Sequence, residues 1–447
     1  MKILLVQPPI RDFYRTVFRE YPIGLMYLAS SLRKSGFQAE ILDARRCRKP
    51  KAVTPYDELM SIAELAQSGR GPFCGFKHFG LSYEEISRRV LEYSPDIVCV
   101  SSMFTPYLRE VIATAAAAKK AVPSCHVMAG GHHATADPLS LLESGAIDSV
   151  FSGEGEVALP ELLRGGRPEK GIINDAGAPF RAVSLDVIPF PLRDILPTGS
   201  YLFEGEPYVM ILTSRGCPHD CSFCSVHSLS GKRYRRRSVG SVIEEIDRCV
   251  SMGVRTIDFQ DDNFLFERDR AFSILKHIAD RHSKTGLRVM ASNGLNVSGL
   301  TSEMIDIMRR AGFRKLDLAI ATGDVGFRNS LHRPESIGRY EQVLQAANDA
   351  GLSVTTYVII GIPAQPIAEM RYTIEYLRGM KTLISPSVFY NVPGMPIFNQ
   401  MKKYEYVSDH VARRSSTFNC FGEDFEREDI ISLIDEIREY NLSHLRS

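Results

Sequence analysis

Short apolar runs alternate with longer amphipathic stretches over roughly the first 155 residues. The runs are Ile3 to Val6, Ala39 to Leu42, Ile97 to Val100, His126 to Ala129 and Ser149 to Phe151; between them, helical spacing recurs near 23–34, 108–121 and 139–143. Apolar runs of strand length separated by amphipathic helices predict βαβ units and a parallel sheet with helices on both faces. Residues 1–156 therefore read as a doubly wound α/β domain.

Several runs end in tight-loop residues: Gln7-Pro8-Pro9, Ser101-Ser102, Gly130-Gly131-His132-His133 and Gly153-Glu154-Gly155. In open parallel sheets the ligand crevice lies beyond the carboxyl ends of the strands, so these loops are expected to share one binding rim.

Periodicity fades over 157–207, where Gly165-Gly166 and prolines 168, 179, 189, 191 and 197 interrupt the chain, as in a connecting segment. From Val209 the β-then-α alternation returns. Strands are expected over 209–213, 256–259, 288–291, 316–320 and 353–360, with helices over 241–252, 270–281, 302–310 and 337–350. Such a succession over 208–370 predicts a complete or partial (β/α) barrel, with its chemistry at the C-terminal ends of the strands. The remainder, 371–447, mixes helical stretches with a Pro-punctuated piece, Ser385 to Pro396, and reads as a segment capping a substrate cavity.

Composition adds little. Lys and Arg total 54 against 53 Asp and Glu, so the formal net charge of +1 draws the chain toward neither nucleic acid nor membrane. No apolar run approaches the length of a membrane span, and Met1 to Pro9 is too short for a signal-peptide core, so a cytoplasmic location is expected.

Six of the nine cysteines (Cys47, Cys74, Cys99, Cys125, Cys249, Cys420) are scattered singly, the pattern of small buried hydrophobes rather than a disulfide framework. The other three form Cys217-Pro-His-Asp-Cys221-Ser-Phe-Cys224, directly after the first strand of the second half. Structural zinc would need a fourth ligand, from His219, His227 or Cys249; a redox dithiol on Cys221 and Cys224 would leave Cys217 without a role. Three thiolates around a four-iron cube leave one iron open to a chelating substrate.

Cys-x-x-x-Cys-x-x-Cys on a loop after the first strand of a β/α barrel, with aromatic Phe223 before the last Cys, resembles the radical SAM signature. That resemblance implies a [4Fe-4S] cluster on Cys217, Cys221 and Cys224, S-adenosylmethionine (SAM) chelated to the open iron, and one-electron cleavage to a 5'-deoxyadenosyl radical. It also implies an external one-electron reductant of the flavodoxin or ferredoxin type. Further positions resemble the family's SAM contacts: Asp262 of Asp261-Asp262-Asn263, Asn293 of Ser292-Asn293-Gly294, Thr322 of Thr322-Gly323, and Ile362 of Gly361-Ile362-Pro363. Two departures stand out. Ala321 occupies the position of a usual Glu, and Ala364 stands where the loop often has Gly.

The first half is similar to the Rossmann-like cobalamin-binding domains of the B12-dependent radical SAM group, through Gln7-Pro8-Pro9, Tyr21-Pro22-Ile23-Gly24-Leu25, Pro95-Asp96-Ile97-Val98, Gly130-Gly131-His132-His133-Ala134-Thr135 and Gly153-Glu154-Gly155-Glu156. The resemblance implies that Gln7, Pro8, Ser101, Ser102, Thr105, Gly130, Gly131, His132, Gly153 and Glu154 line a cobalamin site. No Asp-x-His-x-x-Gly segment lies near the first loops, so cobalamin is expected without His ligation.

The fold expected is thus a doubly wound domain, a partial TIM-type radical SAM barrel and a small helical C-terminal segment. The activity implied is a cobalamin-dependent (class B) methyltransferase acting through methylcobalamin or hydroxocobalamin on an unactivated carbon, or a phosphinate phosphorus, of a small molecule. A cyclase or ring-rearranging enzyme with both cofactors, and a cobalamin or metal sensor with a structural cluster, are the alternatives. Tyr357, Tyr390 and Asn391 are substrate candidates by their position near strand ends or in the C-terminal segment.

Overall fold

The computed structural model describes residues 1–14, 21–46, 49–68, 75–173, 180–196, 199–333, 336–401 and 409–445. Cys47, Cys74, Pro179 and Pro197 lie outside the described residues.

The chain divides into two compact units. The first comprises Met1–Pro197, Ser225–Gly231 and Asn391–Thr417; the second comprises Thr198–Cys224, Lys232–Tyr390 and Phe418–Ser447.

In the first unit six parallel strands, β1 (Lys2–Gln7), β2 (Gln38–Asp43), β3 (Ile97–Ser101), β4 (His126–Gly130), β5 (Ser149–Phe151) and β6 (Gly171–Ile173), form one sheet in the order β2-β1-β3-β4-β5-β6. Strand alternation sends Leu4, Val6, Val98 and Val100 to one face and Ile3, Leu5, Ile97 and Cys99 to the other. The first face packs on helices α2 (Tyr83–Tyr93) and α3 (Leu108–Ala121), the second on α1 (Ile23–Lys34) and α4 (Gly155–Arg164). Burial on both faces is what makes these strands unbroken apolar runs. A reciprocal capping box, Ser82 with Glu85, starts α2. The order reverses between β1 and β3, which is the topological switch point.

Ile10–Asp12, Lys51–Ala52 and Lys77–Phe79 add a small antiparallel sheet. Its Asp12 is buried and accepts from Tyr107 Oη (2.8 Å), Arg414 Nη1 (3.1 Å) and Ser416 Oγ (3.2 Å), tying Asn391–Thr417 into this unit. A buried ion pair is tolerated only when its remaining polar atoms are bonded. Arg414 meets that condition through the carbonyls of Arg11, Pro106 and Val411.

The second unit has two runs of three parallel strands: β7 (Glu206–Ile211), β8 (Thr256–Phe259) and β9 (Arg288–Met290), then β10 (Lys315–Ala321), β11 (Ser353–Ile360) and β12 (Leu383–Val388). A parallel bridge at Leu295 and Leu318 joins them, with Leu295 N donating to Asp317 O (2.7 Å) and Ala319 N to Leu295 O (3.1 Å). Helices α5 (Val239–Ser251), α6 (Arg268–His282), α7 (Ser302–Ala311), α8 (Ile337–Asp349) and α9 (Ile367–Arg378) follow successive strands, and α10 (Arg427–His444) ends the chain. Six consecutive parallel strands of this kind make a partial (β/α) barrel.

Expected strands and helices of the second half fall within a few residues of those observed. Two features differ. Sequence patterning passed over β12, because Pro386 interrupts its apolar run; among the described residues β12 pairs only with β11, and an edge strand tolerates a proline. The expected connector contains the edge strand β6, while α4 and α9 run across the positions 156 and 370 where domain limits were expected.

Candidate functional site

Strand β7 leads into Ser214–Arg215, which pairs antiparallel with Arg235–Arg236; the three cysteines lie on the loop between. What holds the entry to that loop is Asp261-Asp262-Asn263, just beyond β8. Asp261, 2% exposed, accepts from Thr213 N (3.2 Å), Thr213 Oγ1 (2.6 Å) and Ser214 Oγ. Asp262 Oδ2 accepts from Gly216 N (2.7 Å), and Asn263 Nδ2 points at Cys217 Sγ (3.8 Å). Successive residues thus hold successive points of Thr213–Cys217. Arg270 of α6 completes the brace, donating to Thr213 O (2.8 Å), Thr213 Oγ1 (3.1 Å) and Arg237 O (3.0 Å). Burial pushes the Asp261 carboxyl up, opposed by these donors and the Arg270 charge.

Farther along the loop, Cys224 N donates to Cys221 O (3.2 Å) and Ser222 N to Leu331 O (3.1 Å). Strand β10 shifts register between Ala319 and Ala321, and Ala321 sits at φ +64°. The Ala319 carbonyl there accepts from Arg333 Nη2 (2.7 Å), while Arg333 Nη1 reaches Cys221 Sγ (3.8 Å). Burial raises the Cys217 thiol, and the His219 backbone N–H and the Asn263 amide oppose it. Thiolates that receive N–H donors suit an iron–sulfur cluster, whose potential depends on hydrogen bonds to sulfur. The donor set therefore fits the cluster that the spacing implies.

The residues expected to meet SAM fall into two groups. Asp262 belongs to the brace, and Asn293 Nδ2 donates to Asp261 O (3.0 Å), so both adjoin the cysteine loop; Phe223 is half-buried within it. Thr322 and Ile362, at the ends of β10 and β11, share a separate buried network. Thr322 Oγ1 donates to Glu369 Oε1, Gln365 Nε2 donates to Glu369 Oε2, and Ile362 N donates to Gln365 Oε1 (3.0 Å). Thr373 Oγ1 joins through Glu369 (2.6 Å) and Gly323 N (2.9 Å). The Thr322 hydroxyl and the Gly323 and Ile362 backbone N–H groups are all engaged by protein, so the network fixes the shape of these two turns. Sequence reasoning missed Gln365, Glu369 and Thr373; their spacing of four, which puts three polar groups on one stripe leading into α9, was the available signal. Asp261 and Asn263 were read only as part of the polar motif around Asp262; Arg333 was missed, and no sequence signal for it existed.

In the first unit, Gln7 and Pro8 at the end of β1 and Ser101 and Ser102 at the end of β3 flank the switch point. The Ser102 side chain is fully buried, and its hydroxyl has no hydrogen-bond partner among the described residues. Its neighbours Met103 and Phe104 are 39% and 37% exposed. An orphaned buried hydroxyl beside exposed apolar side chains fits a large ligand with both amide and hydrocarbon surface, as cobalamin has. Gly131 (φ +119°) passes so close to the Ser102 carbonyl that a Cβ would lie 2.8 Å from it. Gly130 ends β4 in register with Ser101.

Other residues of the expected cobalamin set bond within the protein. Thr105 Oγ1 lies 3.2 Å from His133 Nδ1, and His132 Nε2 lies 2.9 Å from Ser228 Oγ and 3.1 Å from Ser225 O. Glu154 Oε2 accepts from Ala182 N (2.9 Å), and Gly153 N donates to Thr135 Oγ1 (2.9 Å). Burial, then the neighbouring His410, lowers His133 to about 4, so its imidazole is neutral.

Of the substrate candidates, Tyr357 Oη donates to Ser292 O (3.1 Å), and burial followed by the Asp317 carboxylate raises its phenol. Tyr390 is half-buried, its phenol likewise raised. Asn391 is fully buried, and neither its Oδ1 nor its Nδ2 has a hydrogen-bond partner among the described residues. Of the single cysteines, Cys99, Cys125 and Cys249 are buried as expected, whereas Cys420 is half-buried.

Fold and site together define a two-part α/β protein: a doubly wound domain with its rim at a switch point, and a partial barrel with a three-thiol loop after its first strand. Two family models match the same parts, "B12 binding domain" over residues 73–163 and "Radical SAM superfamily" over 211–377. An uncharacterized methyltransferase of Pyrococcus horikoshii is 28% identical over 85% of this chain and 78% of its own length. Cytidylyl-2-hydroxyethylphosphonate methyltransferase of Streptomyces wedmorensis is 27% identical over 84% and 76%. The solved radical S-adenosylmethionine methyltransferase TsrM of Kitasatospora setae, with cobalamin and a [4Fe-4S] cluster bound, shares the fold at a TM-score of 0.66 and 17% identity, covering 90% of this chain and 75% of that one. The chain thus carries both a B12 binding domain and a radical SAM domain, the two parts that the cobalamin-dependent radical SAM enzymes combine. Among the described residues no helix is long and apolar enough to cross a membrane.

Proposed function

We propose that this protein is a cobalamin-dependent radical SAM methylase that places a methyl group on an unactivated carbon, or a phosphinate phosphorus, of a small-molecule substrate. The observation that carries this reading is the braced Cys217-Cys221-Cys224 loop in a chain whose other half has the switch-point rim. Cys217, Cys221 and Cys224 would hold the cluster, and Gln7, Pro8, Ser101, Ser102, Gly130 and Gly131 would line the cobalamin site.

Bound there, the cluster would supply the electron that cleaves SAM, and cobalamin the methyl carrier. The protein's own work is positioning. Asp261, Asp262 and Asn263 fix the start of the loop, and Arg333 sets a positive charge against one sulfur. Glu369 fixes the turns at Thr322 and Ile362, the positions this reading gives to the SAM nucleoside. Met103 and Phe104 give the first unit's rim apolar surface from which water is excluded once a ligand covers it. Tyr357 and Tyr390, both of the second unit, are the substrate contacts of this reading, and a flavodoxin- or ferredoxin-type protein is the electron donor.

The test is anaerobic reconstitution with iron, sulfide and cobalamin, followed by SAM carrying a deuterated methyl group and candidate substrates from the neighbouring genes. Formation of 5'-deoxyadenosine together with a deuterium-labelled product supports the reading. A product formed without label sinks methylation and leaves rearrangement or cyclisation, whereas a Cys221→Ala chain that still cleaves SAM sinks the cluster assignment.

A further inference from the structure

On the outer layer of the second unit, Asp247 of α5 receives two imidazoles from α6. His277 Nε2 lies 2.9 Å and His282 Nε2 2.6 Å from the same carboxylate oxygen, Oδ1. Ligand atoms of all three side chains lie within 4.8 Å of one another. The imidazoles are 5.8 Å apart between centroids and steeply inclined, so each presents its Nε2 toward the shared oxygen from a different direction. His282 is 9% exposed at its side chain, His277 22% and Asp247 34%, which leaves the set reachable from solvent and backed by protein.

We propose that Asp247, His277 and His282 form a binding site for a late first-row divalent cation, with Zn²⁺ the natural occupant, unconnected with the radical chemistry. Two imidazoles and a carboxylate are a borderline donor set that suits zinc, and three protein ligands with water in the fourth position complete a tetrahedron. Zinc–ligand bonds of about 2.0–2.1 Å place tetrahedral ligand atoms roughly 3.3 Å apart. The observed spacings of 2.6 and 2.9 Å therefore need to open by roughly 0.7 and 0.4 Å to reach that separation.

An Nε2 that carries hydrogen toward the carboxylate must be freed before it can bind metal. A neutral ring does this by losing the Nε2 hydrogen to solvent while Nδ1 takes one up, with no net release, and an imidazolium does it by losing one proton to solvent, so that both rings meet the metal as neutral donors beside the carboxylate. One group opposes the site: Arg281 Nε lies 3.9 Å from Asp247 Oδ2. At 69% exposure the Arg281 side chain swings away into water at small cost.

Occupancy would clip α5 to α6, whose Arg270 holds the strand end before the cysteine loop. The proposed site is nonetheless independent of the cysteines, and the experiment keeps the two apart. Holoprotein with its cluster assembled, and separately the full-length chain with Cys217, Cys221 and Cys224 all replaced by Ala, are stripped with chelator. Each is then titrated with Zn²⁺ against a chromophoric zinc indicator.

We expect one equivalent bound in both preparations. It should be lost in His277→Gln, weakened at least tenfold in Asp247→Asn, and strengthened in Arg281→Gln. Circular dichroism of each zinc-free variant checks that it folds, and His277, being partly exposed, is the substitution least able to disturb packing. Co²⁺ in the same site should give visible bands without a thiolate charge-transfer band. Absence of the equivalent in both preparations overturns the proposal, as does an equivalent that survives His277→Gln or shows thiolate absorption.

Discussion

Arg333 offers the sharpest test of how the protein tunes its cysteine loop. Its guanidinium lies 3.8 Å from Cys221 Sγ and is steadied by the Ala319 carbonyl that the β10 bulge leaves available. Reduction adds one negative charge to a cluster on these sulfurs, so a fixed cation beside one of them favours the reduced state and raises the potential. Two unit charges about 4 Å apart interact by about 4 kcal/mol at an effective dielectric of ~20. The added electron spreads over the whole cube and Arg333 is only partly buried, which reduces this to the order of 2 kcal/mol. At ~59 mV per tenfold change for one electron, that is roughly 90 mV. Arg333→Gln should therefore lower the midpoint potential by about that amount, and Arg333→Lys, which keeps the charge, by less than half of it. The assay is an EPR-monitored redox titration of reconstituted protein, normalised to iron content. A change below about 20 mV in the Gln variant, or an upward shift, refutes the reasoning.

Four further outcomes are expected. Asp262→Ala removes the acceptor for Gly216 N, a bond to a charged group worth about 1.5–3 kcal/mol, so iron bound per chain should fall several-fold while Asp262→Asn stays near wild type; equal iron in both would show that the brace is dispensable. Ala364 sits at φ +62°, a conformation that costs a side chain roughly 1–2 kcal/mol, and Ala364→Gly should give a net gain of about 0.5 kcal/mol in denaturant unfolding after the glycine entropy cost; a loss in stability argues against strain. Asn391→Leu removes a buried amide with no described partner, so thermal stability should hold or rise by about 1 kcal/mol while ligand affinity falls; clear destabilisation would mean that the fold itself satisfies the amide. His133 is held neutral with a pKa of about 4 against an ordinary value near 6.5, so the unfolded chain binds the extra proton first. Its contribution to stability is therefore whole above pH 6.5 and is lost as pH falls from 6.5 toward 4, and His133→Gln should flatten the thermal midpoint over that range; an unchanged slope would place the acid sensitivity elsewhere.

Much of this molecule could be read from its hydrophobic pattern because its main strands run parallel, and in the first unit the sheet is covered on both faces, which turns strands into unbroken apolar runs. The same physics explains what stayed hidden. Strand β12 carries Pro386, and β6 is three residues long; both lie at sheet edges, where the pattern weakens. The cysteine loop was legible because its chemistry demands a fixed spacing. Its supports were legible only in part, since Asp261-Asp262-Asn263 stood out as a polar cluster after a strand, whereas Arg333 reaches Cys221 across 112 positions of sequence. Ala364 is instructive: the resemblance marked it as a departure from Gly, and its positive φ supplies the reason glycine is usual there.

The brace at Asp261-Asp262-Asn263 works as a ruler. It measures off Thr213, Gly216 and Cys217 on a neighbouring stretch of chain, one residue of the ruler for each mark. An insertion or deletion between 213 and 217 would slide every mark against its graduation, whereas changes of length after Cys224 leave the alignment intact. Exchange of cysteine loops between relatives should therefore succeed when the graft carries both strand ends, and fail when it carries the loop alone.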